Sequence, residues 1–190
     1  MTVQHHVEVD DKGITYWFVG TGAERKLHRT DGPAIEHADG KRLWLQNGQL
    51  HRADGPAIEN ADGKRFWYQN GQLHRADGPA IEYSSGNREW YQNDILNRAD
   101  GPAVEHTDGY RAWYQNGQLH RVDGPAVINA DGSCAWYQNG QPHRVDGPAI
   151  VCNNGMEEWW LNGTQYTEDS WRAATQPAAE LADAELAALG

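Results

Sequence analysis

Polar and apolar positions along this chain recur with a long period rather than the short one of a lone helix or strand. The segment HRxDGPA, or a close variant, begins at His28, His51, His74, Asn97, His120 and His143, each start 23 residues after the last. In the copy from Leu50 to Gln72, Ala57-Ile58-Glu59 reads as a short strand and Ala61-Asp62-Gly63 as a tight turn. Arg65-Phe66-Trp67-Tyr68-Gln69 reads as a second strand, because aromatic residues fit a pleated surface. Asn70-Gly71 makes another turn, since such dipeptides accept the positive φ angles of a hairpin, as does Asp62-Gly63. Each copy therefore predicts one β-hairpin and a structured link into the next. The whole pattern predicts an all-β fold, an elongated array of antiparallel β-hairpins whose units contact their neighbours. Two strands per unit would lengthen such an array by about 10 Å per repeat.

The ends depart from the repeat. Residues 1–26 predict a degenerate N-terminal capping hairpin: Val7 and Val9 alternate with polar residues, Asp11-Lys12-Gly13 turns the chain, and a strand follows around Trp17. Residues 27–164 hold the six repeats, and residues 165–190 predict a C-terminal helical cap. Thr167 is placed to cap a helix whose first turn carries Glu168 and Asp169. Trp171 would plug the last hairpin, Pro177 ends that helix, and the Ala/Leu/Glu run to Leu189 predicts a second one.

Comparing the copies with one another separates core from surface. The column Trp44, Trp67, Trp90, Trp113, Trp136, Trp159 never varies, and is expected to form the structural core. Two aliphatic columns join it, one from Ile35 to Ile150 and one from Leu27 to Pro142. The column Leu43, Phe66, Glu89, Ala112, Ala135, Glu158 tolerates charge and is expected to face water. Strand alternation sets Trp67 on one face and Phe66 and Tyr68 on the other. The column Tyr68, Tyr91, Tyr114, Tyr137, Trp160 is bulky throughout. Two accounts of it stand open: packing against a second layer of the fold, or an exposed aromatic stripe that binds a partner. Copy three is the least regular, with Ser84-Ser85-Gly86 at its turn and Asp94 in a column of glycine.

Composition narrows the function. Only 38% of residues are apolar, yet nine Trp and eight Tyr are present, which suggests a thin core held by large aromatics. A net charge of −11 argues against nucleic-acid backbones and anionic membrane surfaces. No apolar run reaches the roughly 18 residues of a membrane span. MTVQHHVEVDDKG has neither the basic nor the apolar region of a secretory signal. Cys134 and Cys152 are too few for a disulfide framework, so free thiols and a cytoplasmic location are expected.

The candidate chemistry is sparse. The column His28, His51, His74, His120, His143 offers imidazoles at a structural spacing, without the close pair that a metal site needs, so no metal is expected. The Arg and Asp of each HRxD are expected to form a local ion pair. No serine or cysteine has a recurring base beside it, and the same groups are spread evenly along the chain, so no catalysis and no cofactor are expected.

The stretch NGQLHRADGPAIENADGKRFWYQNG, from Asn47 to Gly71, resembles the MORN repeat in its length, its Asn-Gly, the His three residues later and its Gly-centred turn. The resemblance covers roughly residues 27–164; MORN units usually carry glycine after the His, where this chain has Arg52 and Arg75. It implies stacked hairpins in a long curved sheet that holds partners together. A fainter likeness, through Trp67-Tyr68-Gln69-Asn70-Gly71, is to choline-binding and glucan-binding wall repeats. The expected function is a non-enzymatic binding or scaffold module that presents its aromatic stripe to a protein partner, not to nucleic acid or a membrane. The alternatives are a glycan- or choline-type ligand binder and an acidic mimic of nucleic acid. Oligomeric state stays open at this point.

Overall fold

The computed structural model describes residues 6–176. It is almost wholly antiparallel β-structure with one short C-terminal helix, the architecture that the repeat predicts. The second helix expected before Leu189 lies outside the described residues. The chain divides into two compact units that meet in sequence at Thr107 and Asp108.

The first unit begins with β1 (His6–Val9) paired to β2 (Thr15–Val19). From β2 a meander of two-residue strands runs through Ile35–Glu36, Arg42–Leu43, Ile58–Glu59, Arg65–Phe66, Ile81–Glu82, Arg88–Glu89 and Val104–Glu105. The second unit repeats the plan with Arg111–Ala112, Val127–Ile128, Cys134–Ala135, Ile150–Val151, Glu157–Leu161 and Thr164–Tyr166.

Each repeat also contributes a separate small hairpin, such as Tyr68–Gln69 with Gln72–Leu73. Its turn is Asn70-Gly71 with φ of 51° and 81°, the left-handed pair that Asn-Gly tolerates better than other dipeptides. The Asp-Gly turn works differently. At 60–64 only Gly63 has positive φ, at 88°, while Asp62 Oδ1 accepts the Lys64 N–H at 2.9 Å. Asp62 is thus a side-chain brace for a three-residue loop, not a second left-handed residue.

Trp67 stands where the chain leaves the main meander for the small hairpin. Its N–H donates to the Ala80 carbonyl at 2.8 Å, and its own carbonyl accepts from His74 at 3.0 Å. The strand expected as Arg65 to Gln69 is therefore two short strands with a corner between them. The small hairpins tie to their predecessors as well: Gly71 N–H donates to Leu50 and Arg52 N–H to Tyr68. Each unit is two ribbons joined at the tryptophan corners.

The sealed core between the ribbons is alanine. Ala34, Ala57, Ala80, Ala103, Ala126 and Ala149 are all 0% exposed, and Leu45, Ile81, Val104 and Ala112 are buried beside them. The expected core tryptophans, Trp44, Trp67, Trp90, Trp113, Trp136 and Trp159, are only partly buried. The fully buried positions are thus alanine methyl groups, and the indoles keep part of their surface in solvent.

The column expected to face water is also enclosed. Leu43, Phe66, Glu89, Ala135 and Glu158 are partly buried and Ala112 is fully buried. Its acids survive because neighbours supply donors: Glu89 accepts from the Tyr83 and Tyr91 hydroxyls at 2.8 and 3.0 Å, and Glu158 from Trp160 Nε1 at 2.8 Å. Burial and the Glu89 contact push the Tyr83 phenol up to about 12, above an ordinary value near 10. A raised folded pKa contributes stability that is complete below about pH 10 and disappears as pH rises through about 12. In an alkaline ultraviolet titration, one phenolate should appear last, and Tyr83→Phe should remove that late step. A late step that survives the substitution would assign it elsewhere.

The C-terminal helix, α1 (Glu168–Thr175), forms as the sequence predicts. Thr167 Oγ1 accepts the Ser170 N–H at 3.3 Å, and Glu168 and Asp169 occupy the positive end of the helix dipole. Trp171 is buried, its ring 4.6 Å from that of Trp159, and its Nε1 donates to the Arg144 carbonyl at 3.0 Å. Among the described residues, no helix is long and apolar enough to cross a membrane.

Candidate functional site

The HRxDGPA link is a rigid arginine cradle. The Arg75 guanidinium lies over the Trp67 ring, with Cζ 4.2 Å from its centroid. Its Nε donates to Asp77 Oδ1 at 3.0 Å, and its Nη1 donates to the Pro79 carbonyl and to Glu82 Oε1, both at 3.2 Å. The other face of the guanidinium meets Gly78, where an added Cβ would lie 2.8 Å from Arg75 Cζ. That glycine is needed for close approach, not for a positive φ. The remaining copies match: Arg29 on Trp17, Arg52 on Trp44, Arg98 on Trp90, Arg121 on Trp113 and Arg144 on Trp136, at 3.9 to 4.3 Å. A planar cation between a ring and a backbone satisfies both its charge and its apolar faces.

The arginine holds its aspartate ionised. Asp54, Asp77, Asp100, Asp123 and Asp146 all sit below the usual carboxylate range, chiefly through the hydrogen bond from the arginine two residues earlier. Depressed folded values mean stability that is present above the unfolded pKa of about 3.9 and lost as pH falls through the folded ones. Thermal stability should therefore hold from neutrality to mild acid and decline modestly below about pH 4, since these pairs are solvent-exposed. Asp77→Asn with Asp100→Asn should flatten that fall in melting curves recorded against pH. An unchanged acid slope would show that these pairs do not govern it.

Four of the link histidines clasp the next repeat through a backbone N–H. His51 Nδ1 accepts the Asn70 N–H at 3.2 Å, 19 residues on, and His28, His120 and His143 accept alike from Asn47, Asn139 and Asn162. Accepting at Nδ1 places the imidazole proton on Nε2. Asn70 Oδ1 also lies 3.1 Å from that nitrogen, which favours turning the amide so that its NH2 faces the ring. Among the described residues, no group of three or more His, Cys, Asp or Glu side chains gathers as a metal site would require.

Between successive links lie grooves. One of about 540 Å³ is lined by Asp54, Trp67, Gln69, His74, Arg75 and Asp77, among others. The next, about 500 Å³, has the counterparts Asp77, Trp90, Gln92, Asn97, Arg98 and Asp100. In the second unit, a groove of about 460 Å³ has Asp123, Trp136, Gln138, His143, Arg144 and Asp146. The aspartates are strongly exposed, with Asp54, Asp77, Asp100 and Asp123 side chains 84–86% accessible.

The aromatic stripe lies elsewhere. Tyr68, Tyr91, Tyr114, Tyr137 and Trp160 are each partly buried, and their repeat-one counterpart Leu45 is buried. Tyr68 stands 6.5 Å from Phe66 and faces Leu73 across the small hairpin. Burial pushes its phenol up. Tyr68 is thus partly covered by its neighbours Phe66 and Leu73. Sequence reasoning had no place for the groove or for the Arg–Trp stack, although the unbroken pairing of each link's Arg with a preceding Trp was a usable signal. No protein-family model and no curated protein matches the chain.

Proposed function

We propose that the chain is a non-enzymatic binding module for a protein partner, and that the grooves between HRxDGPA links, rather than the tyrosine stripe, are its contact surface. The observation that carries this reading is the recurrence of equivalent grooves, of about 540 and 500 Å³ in the first unit and about 460 Å³ in the second. Each has a tryptophan in its wall, a glutamine for hydrogen bonding and a clamped arginine beneath an exposed aspartate. Clamping removes side-chain freedom before binding, which lowers the entropy cost of association. Two paired strands per repeat would set the first unit's successive grooves about 10 Å apart, three residues of extended chain at about 3.3 Å each. An extended segment laid along the grooves would thus offer every third side chain to an equivalent setting.

The small-ligand alternative fits less well. A quaternary amine needs a bare aromatic face, and each of these indoles already carries the chain's own arginine. The nucleic-acid mimic fits poorly too, because one row of the first unit's sheet alternates Glu36, Arg42, Glu59, Arg65, Glu82, Arg88 and Glu105. A mimic of a phosphate backbone needs acids without interleaved bases.

Gln69 and Gln92 are exposed and line adjacent grooves. Gln69→Arg with Gln92→Arg should fill both while leaving the fold unchanged. Quantitative mass spectrometry of captured proteins, wild type against variant, should show partners lost by about tenfold or more. Undiminished capture, or several equivalents of a sugar or quaternary amine bound per chain in calorimetry, would refute the proposal.

A further inference from the structure

β1 leaves an open hydrogen-bonding edge. Its register with β2 sets His6 opposite Phe18, Val7 opposite Trp17, Glu8 opposite Tyr16 and Val9 opposite Thr15. Trp17 turns both of its main-chain groups away from β1, its N–H donating to Ala34 at 2.9 Å and its carbonyl accepting from His28 at 3.0 Å. Opposed residues of an antiparallel ladder alternate between bonded and unbonded pairs, so Val7 and Val9 aim their N–H and C=O groups outward. Asp10 confirms the phase by donating its N–H to Ile14 at 3.1 Å. Among the described residues, β1 has no ladder partner besides β2.

Among the described residues, that edge lacks two of the usual protections. His6–Val9 contains no proline and no lysine, and Val7 and Val9 are 55% and 64% exposed. In the second unit, by contrast, α1 packs on Glu157–Leu161 and Thr164–Tyr166.

We propose that this edge pairs antiparallel with the same edge of a second copy of the chain, forming a two-fold dimer centred on Glu8. Such a contact is self-complementary, as a two-fold interface must be. Val7 of one copy meets Val9 of the other, twice, so all the outward-aimed groups of β1 exchange into four main-chain hydrogen bonds. The four valines then share one face of the joined sheet and shield one another. On the opposite face Glu8 meets its own copy, but each carboxylate is already paired with its Arg25 at 2.6 Å, so the four charges balance. His6 of each copy falls opposite Asp10 of the other. The rival centring on Val7 would exchange only two main-chain bonds within His6–Val9.

Sedimentation equilibrium of the full chain tests the proposal. A monomer–dimer equilibrium is expected at micromolar concentration. Val7→Lys with Val9→Lys keeps every β1–β2 bond and should raise the dissociation constant by about tenfold or more. A chain that is monomeric at its solubility limit overturns the proposal, as does a dimer indifferent to the two lysines. Glu8→Cys reads the register. Unbonded antiparallel pairs place Cα atoms about 4.5 Å apart, within disulfide reach, so mild oxidation should yield covalent dimer from Glu8→Cys. Val9→Cys, whose counterpart is Val7, should yield far less, with the parent chain controlling for Cys134 and Cys152. Equal yields from the two variants also overturn the proposal.

Discussion

Trp67→Ala is expected to destabilise the protein by about 3 kcal/mol, the lower end of the range for deleting a large aromatic, because the ring is only partly buried. The indole is the platform for the Arg75 guanidinium 4.2 Å away, and Arg75 in turn holds Asp77, the Pro79 carbonyl and Glu82. Removing the ring therefore opens a void at the corner between the ribbons and also loosens the cradle that joins one repeat to the next. In a repeat array an internal fault weakens both neighbouring interfaces. Urea titration followed by tryptophan fluorescence gives the comparison, with Val122→Ala as reference. Val122 is 77% exposed, and its truncation should stay within about 0.5 kcal/mol. Equal midpoints for the two variants would show that the stack is ornamental to stability.

Ala80→Leu is the second large effect, a loss of about 3 kcal/mol at the upper end of overpacking costs. Ala80 is 0% exposed, and its carbonyl takes the Trp67 N–H at 2.8 Å, so its position is fixed from both sides. Three added carbons must push the ribbons apart and break the corner hydrogen bond. Ala76→Leu, in the exposed part of the same link, should be close to neutral. If both substitutions were tolerated alike, the alanine column would not be the sealed core.

Much of the array was legible because it rests on local chemistry. Asn70-Gly71 can hardly do anything but turn, and Thr167 followed by Glu168 and Asp169 starts a helix wherever it lies. The columns were harder to read. Phe66, Glu89 and Ala112 occupy one position, and a column that accepts glutamate looks like a surface. It is not one, because Tyr83 and Tyr91 supply the donors that make Glu89 tolerable, and neither is adjacent to it in sequence. The tyrosine stripe was ambiguous for a related reason: strand alternation shows which side a residue takes, but not whether that side is covered.

The period, the turns, antiparallel hairpin pairing and the first capping helix, over Glu168–Thr175, were readable from residue order alone. These follow from backbone torsion preferences and from hydrogen bonds made within a few residues. What fills the centre is a matter of tertiary packing. An invariant tryptophan offers far more apolar area than an invariant alanine, yet Ala80 is 0% exposed while the Trp67 ring stays partly buried at the corner. There it meets an arginine from the next link, whose place depends on a glycine with no side chain to obstruct it. Packing distance, set by contacts far apart in the chain, is the quantity that a linear pattern of residue types does not contain.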